Sequence, residues 1–162
     1  MTTMTTTAGA VTEQYCTFWV DDLFFGVAVE EVQEVLRHQP MTPVPRAHEA
    51  VRGLINLRGQ IVTAVDLRVR LGLPPRPADR LPMNVIVRCA GEVVSLLVDD
   101  IGDVLDTGDG TGTEPAPPNL PATIRNVVQG VRPLPDAILL VLDVHSALDL
   151  PTSATDPTGG TP

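Results

Sequence analysis

The segment Val104-Leu105-Asp106-Thr107-Gly108 sets an apolar pair ahead of Asp-Thr-Gly, the pattern around the catalytic carboxylate of aspartic proteases. That chemistry needs two carboxylates sharing one proton, because like charges side by side cannot both ionise. The chain repeats itself internally, and the repeat places Arg37 opposite Asp106. A protease would therefore have to be a homodimer around Asp106, whereas a strand running into a glycine-rich loop explains the string without catalysis. Gly108-Asp-Gly-Thr-Gly112 lacks the lysine of a phosphate-binding loop, and no strand–loop–helix pattern surrounds it. Asp106, Asp109 and Glu114 lack the ligand spacing of a calcium loop. His38, His48 and His145 are scattered and read as structural or solvated. Cys16 and Cys89 are too few for a disulfide framework or a four-ligand zinc site, and each sits in an apolar run as a small hydrophobe would. No catalytic group, metal or cofactor is expected.

One cation stands in an unusual place. In Ile55-Asn-Leu-Arg-Gly-Gln-Ile-Val62 an Arg-Gly pair separates two apolar runs. A buried, unpaired guanidinium is costly, so Arg58 is either solvated at a turn or matched to an anion. Gly59 accepts a positive φ without steric cost, which makes strand, Arg58-Gly59 turn, strand the expected local structure.

The elements that position these residues follow from composition. The 162 residues suit one ordinary domain or two very small ones sharing a core. Hydrophobic content is 43% but aromatic content only 3%, so Val, Leu and Ile build the interior, a bias toward sheet. The net charge of −9 and pI near 4.6 argue against nucleic acid and anionic membrane as partners. No signal-peptide pattern opens the chain, and no apolar run approaches the ~20 residues of a membrane span, so a cytoplasmic location without membrane insertion is expected. The ends, 1–12 and 151–162, and the Pro/Gly-rich stretch Thr107–Pro121 read as flexible.

The chain contains its own plan twice. Phe25–Leu36 (FGVAVEEVQEVL) matches Val94–Leu105 (VSLLVDDIGDVL) at an offset of 69 residues. Gly53–Leu73 matches Gly130–Leu150 at an offset of 77, and the Pro/Gly-rich stretch absorbs the difference. Two halves emerge, about 13–73 and 83–150, joined at Pro74-Pro75-Arg76-Pro77. Each half reads as two strands, an acidic segment, a hairpin and a closing turn. Val29, Val32, Val35 and Leu36 fit helical spacing in the first copy, while Gly102 turns the second copy toward strand. Short strands in halves of this size predict two small β-barrels sharing one apolar interface. Arg58 has Pro135 as its counterpart, so the plan does not demand it. Asp66 recurs as Asp143 and reads as a cap for the turn of helix that follows. His145 occupies the position of Arg68, which is expected to be exposed.

Gly53-Leu-Ile-Asn-Leu-Arg-Gly-Gln-Ile-Val with Val65-Asp-Leu-Arg68 resembles the signature of the CheW-like domain family of bacterial chemotaxis. Phe25-Gly26-Val27 with Val32-Gln33-Glu34-Val35 resembles the family's first half. Leu97-Val98-Asp99 with Asp103-Val104-Leu105 resembles its second, and the likeness spans about 14–150. The resemblance implies a mainly β fold of two five-stranded SH3-like barrels with a common core and short helices. It implies no catalysis and no cofactor. The implied role is a scaffold joining the cytoplasmic tips of chemoreceptors to the histidine kinase CheA, whose regulatory SH3-like domain would be the kinase-side partner. An adaptor for a non-chemotaxis kinase pathway is the alternative. A kinase would need a nucleotide-binding domain as well, so the chain resembles the free-standing form of the domain.

By position, Glu34 matches the acidic residue of the family's VQE motif and Arg58 its NLRG arginine, both implied in receptor contact. Val27, Val29, Val32 and Val98 are candidates for lining a groove between the barrels, or equally for ordinary core. Thr63 departs from the family's usual Pro, and a β-branched residue suits a strand there.

Overall fold

Each apolar run bounded by Asp, Gly or Pro becomes a strand, because β-branched side chains fit a pleated surface buried on one or both faces. The computed structural model describes residues 14–106 and 114–149. In chain order the strands are β1 (Gln14–Val20), β2 (Leu23–Ala28), β3 (Val32–Leu36), β4 (Val51–Leu57), β5 (Gln60–Asp66), β6 (Met83–Cys89), β7 (Glu92–Val98), β8 (Asp100–Asp106), β9 (Val128–Pro133) and β10 (Ile138–Leu142). Three helical turns, α1 (Leu67–Arg70), α2 (Ala122–Arg125) and α3 (Val144–Leu148), complete it. Both terminal segments and the first part of the Thr107–Pro121 connection, 107–113, lie outside the described residues.

The strands form two five-stranded sheets, ordered β9-β10-β2-β1-β8 and β3-β6-β7-β5-β4. The repeat is present in three dimensions, residue by residue. Parallel pairing of β10 with β2 sets Leu140 against Phe25, and that of β5 with β7 sets Thr63 against Val94, the same pairing shifted by the repeat. Bulges fall at Val51/Gly53 and at Val128/Gly130, again equivalent positions. Beside them Leu54 bridges to Thr42, and its counterpart Val131 bridges to Glu114. At Gly53 a Cβ would lie 2.6 Å from the Thr42 carbonyl oxygen, so the close crossing requires glycine.

The sheets, however, do not follow the halves. The β1–β2 hairpin is flanked by β8 and β10 from the second half, and the β6–β7 hairpin by β3 and β5 from the first. The division at about 13–73 and 83–150 describes the repeat, but each SH3-like unit is assembled from both copies.

Between the sheets lies one shared core containing Phe18, Phe25, Val65, Val85, Leu96, Val98, Leu140 and Leu142. Smaller clusters fill the far side of each sheet: Tyr15, Leu139 and Val141 in one, and Ile55, Ala64, Leu97, Leu57, Val62 and Ile86 in the other. Strand β10 shows why its sequence is continuously apolar: Leu140 and Leu142 face the shared core, whereas Leu139 and Val141 face the outer cluster.

The expected first-half helix over Val29–Leu36 is not formed. A 3₁₀ turn covers Val29–Glu31, and Val32–Leu36 is strand β3, paired antiparallel with β6. An isolated helix of that length is marginal, whereas the ladder satisfies the backbone of a valine-rich segment. The caps are as expected: Asp66 accepts the Arg68 amide at 3.0 Å, and Asp143 accepts the Ser146 amide at 3.2 Å. Each cap amide in turn donates to an equivalent carbonyl, Asp66 to Ala50 and Asp143 to Val127, both at 2.7 Å.

Candidate partner-binding site

Arg58 and Gly59 close the β4–β5 hairpin as its two central residues, with φ of 53° and 88°. Positive φ at both positions is the type I′ geometry whose twist matches a right-handed hairpin. The Asn56 side chain fixes the turn by accepting the Gly59 amide at 2.9 Å. The Arg58 guanidinium pairs with the Glu34 carboxylate. Glu34 follows a bulge in β3, between Val32 and Glu34 in the pairing with β6. Strands β3 and β4 are the opposite edges of their sheet, so this ion pair spans a sheet rolled back on itself. Leu36 of β3 packs on the cluster containing Leu57 and Val62, so the two edges also share an apolar contact.

Arg58 keeps 68% of its side-chain surface in water and Glu34 23%, so the pair is accessible to a partner. Next to Glu34 in β3 is Val35, 37% exposed, and in β5 after the turn is Ile61, 60% exposed. Their repeat counterparts, Val104 and Ile138, are likewise exposed, at 57% and 52%. Each sheet therefore exposes the same two apolar positions. The polar part differs, with Glu34 and Arg58 on one unit and Asp103 and Pro135 on the other.

The valines divide. Val29 and Val32 are half-buried, and Val32 packs on the shared core. Val27 and Val98 are 0% exposed within that core. They hold the sheets together and are unreachable by a partner, which corrects their place among groove residues. The matches Val35/Val104 and Ile61/Ile138 were visible in the repeat, where apolar identity suggested interior; only the strand registers show that they face outward.

Arg68 is the larger correction. It is not an exposed turn residue but nine-tenths buried, at the centre of a charged network. Its Nε and Nη2 donate to both Asp99 oxygens, the shortest contact 2.7 Å, and Nη1 donates to the Pro74 carbonyl at 2.9 Å. Arg76 donates to Asp99 at 2.8 Å and to Asp66 at 3.3 Å. The Asp21 amide, at the β1–β2 turn, donates to Asp99 at 2.6 Å. Both sheets and the junction between the halves meet here. The exchange of Arg68 for His145 was the available signal, since His145 is exposed and makes only a 3.9 Å approach to Cys89. Both cysteines are free thiols, and each is half-buried rather than fully interior.

Burial on its own raises a carboxyl pKa. For Asp99 the hydrogen bonds from Arg68, the Asp21 amide and Arg76 outweigh it and lower the value from the ordinary 3.8 to about 2. A depressed carboxyl pKa stabilises the fold above the unfolded value, and that stabilisation is lost as pH falls through the folded one. The shift corresponds to ~2 kcal/mol, present above about pH 4 and lost toward about pH 2. In denaturant titrations, the fall in unfolding free energy between about pH 5 and about pH 2 is expected to be ~2 kcal/mol smaller in Asp99→Asn. An identical fall in the two proteins would contradict the assignment.

Asp106 lies exposed on β8, and Asp109 of the suggested calcium loop is outside the described residues. No helix among the described residues is long and apolar enough to cross a membrane.

Two interleaved five-stranded sheets with SH3-like form, a common core and matching apolar spots on two faces define a binding module of the adaptor class. The CheW-like domain model matches residues 14–151. The chain belongs to this family, which is non-enzymatic. Among its relatives is the chemotaxis protein CheW of Rhizobium meliloti (strain 1021), 30% identical over 129 residues that cover 80% of this chain and 83% of that one. Chemotaxis protein CheW of Bacillus subtilis (strain 168) is 26% identical over 141 residues, covering 87% and 90%. The crystal structure of scaffolding protein TtCheW from Thermoanaerobacter tengcongensis has a TM-score of 0.77 at 26% identity, covering 86% of this chain and 94% of that one.

Proposed function

We propose that this protein is a cytoplasmic scaffold that couples chemoreceptors to the histidine kinase CheA. The carrying observation is the exposed Arg58–Glu34 pair at a type I′ turn, on a sheet that also exposes Val35 and Ile61. Such a surface suits the cytoplasmic tip of a receptor, a helical hairpin with an apolar stripe and polar edges. Val29 and Val32, half-buried on the segment leading to Glu34, are kept as further candidates for this contact. The second face, around Val104 and Ile138, supports contact with another SH3-like domain, the regulatory domain of the kinase. Membership of the CheW-like family and similarity to proteins named for chemotaxis and scaffolding support the same reading.

Arg58→Ala tests it. An exposed ion pair contributes at most about 1 kcal/mol, so the melting temperature should fall by only a few degrees. Against a receptor helix the guanidinium makes charge-assisted hydrogen bonds that alanine loses, so capture on immobilised receptor tips should drop about tenfold. Binding to CheA should change far less. If the variant binds receptor tips as wild type does, Arg58 is not a contact residue. Retention of a histidine kinase by a wild-type protein that ignores receptor tips would instead favour an adaptor for a different sensory pathway.

A further inference from the structure

The connection between the two halves does more than join them. Running from Pro74 to Pro82, it covers a pocket of about 300 Å³ whose other wall is the end of β5 and the segment around His38 and Met41. That volume is at the lower limit of ordinary small-molecule sites. Its charged lining is three arginines, Arg52, Arg76 and Arg80, and one aspartate, Asp66, with Asp99 and Asp100 paired to Arg76 and Arg80 outside the lining. Three of the chain's 11 basic residues therefore converge on one concavity.

The arginines differ in how far they are committed. Arg76, buried, spends its donors on Asp66 and Asp99, so its charge is matched within the protein. Arg52 approaches Asp66 only at 3.7 Å, beyond hydrogen-bond length, with half of its side chain exposed. Arg80 gives one nitrogen to Asp100 at 2.8 Å. Guanidinium carries five donors and does not deprotonate, so Arg52 and Arg80 retain N–H groups for a further acceptor. The rest of the lining is apolar, from Met41, Val69, Leu81 and the prolines of the connection. The equivalent of Arg52 in the second copy is Gln129, so the repeat does not reproduce this set of arginines.

We propose that this pocket binds a small organic anion, its carboxylate or phosphate held by Arg52 and Arg80 and its apolar body laid against the connection. Occupancy clamps the junction of the two halves beside the Arg68–Asp99 network, so the bound form melts higher by mass action.

The test is a two-dimensional amide NMR titration of the full chain with isovalerate and, separately, inorganic phosphate, each against sodium chloride at matched ionic strength. Saturable shifts are expected at Arg52 and along the connection from Arg76 to Arg80, with isovalerate saturating before phosphate because it fills the apolar part. The double variant Arg52→Ala/Arg80→Ala, confirmed as folded by its melting curve, should bind about tenfold more weakly or not at all. Arg58→Ala, distant from the pocket, should bind as wild type. Shifts reproduced by chloride alone, or a double variant that titrates like wild type, would overturn the proposal.

Discussion

Arg68→Ala is expected to lower the unfolding free energy by about 3–5 kcal/mol, the loss typical of breaking a buried ion pair from one side. The Arg68 and Asp99 side chains retain only 10% and 6% of their surface exposure. Alanine leaves Asp99 with Arg76 and one amide where it had two further guanidinium contacts, and it leaves the Pro74 carbonyl without its donor. Lysine should rescue little, because a single ammonium cannot reach both carboxylate oxygens and the carbonyl in one geometry. Urea denaturation at neutral pH measures the effect. A loss under about 1 kcal/mol would mean that water or Arg76 replaces the missing contacts, and that the network is not a stability element. Arg58, on the same chain but in solvent, sets the contrast: identical chemistry, an expected effect several times smaller.

Neither half of the repeat should fold alone. A fragment ending near Pro75 keeps the β1–β2 hairpin but loses β8 and β10, the strands on both of its sides. A fragment starting near Leu81 keeps β6–β7 but loses β3 and β5 in the same way. Each would expose unpaired strand edges on both sides of a two-stranded ribbon, and such a ribbon is not stable in water by itself. Far-ultraviolet dichroism and amide dispersion should show each fragment unfolded or aggregated. Mixed from denaturant, the two fragments should restore native dispersion, because every missing neighbour is supplied by the other chain. Well-dispersed spectra from either fragment alone would refute the interleaving.

Periodicity and repetition made most of the strands, the caps at Asp66 and Asp143, and the shared core legible, since these depend on local patterning, whereas β3 carried a helical spacing and was misread. What could not be read was which half each strand pairs with. Every pairing in the fold has a repeat-equivalent alternative of similar composition, so the sequence of one half looks self-sufficient. Burial of charge was equally hidden. Arg68 sits among exposed-looking neighbours, and its partner Asp99 is separated from it by 31 residues. Glu34 and Arg58 were each legible by motif; that they meet depends on the curl of a sheet, which no local pattern encodes. The exposed valines and isoleucines were hardest, because an apolar residue in a strand gives the same signal whichever face it occupies.

The pseudo-twofold arrangement has one further consequence. A true dimer of identical half-chains must display each surface residue twice, so a change that improves one face alters its mate as well. Covalent fusion removes that constraint while keeping the architecture. Glu34 and Asp103, Arg58 and Pro135, Arg68 and His145 are each one position read out as two different chemistries. An assembly point of this kind can tune its attachment to one neighbour without disturbing its attachment to another, which a symmetric joint cannot do.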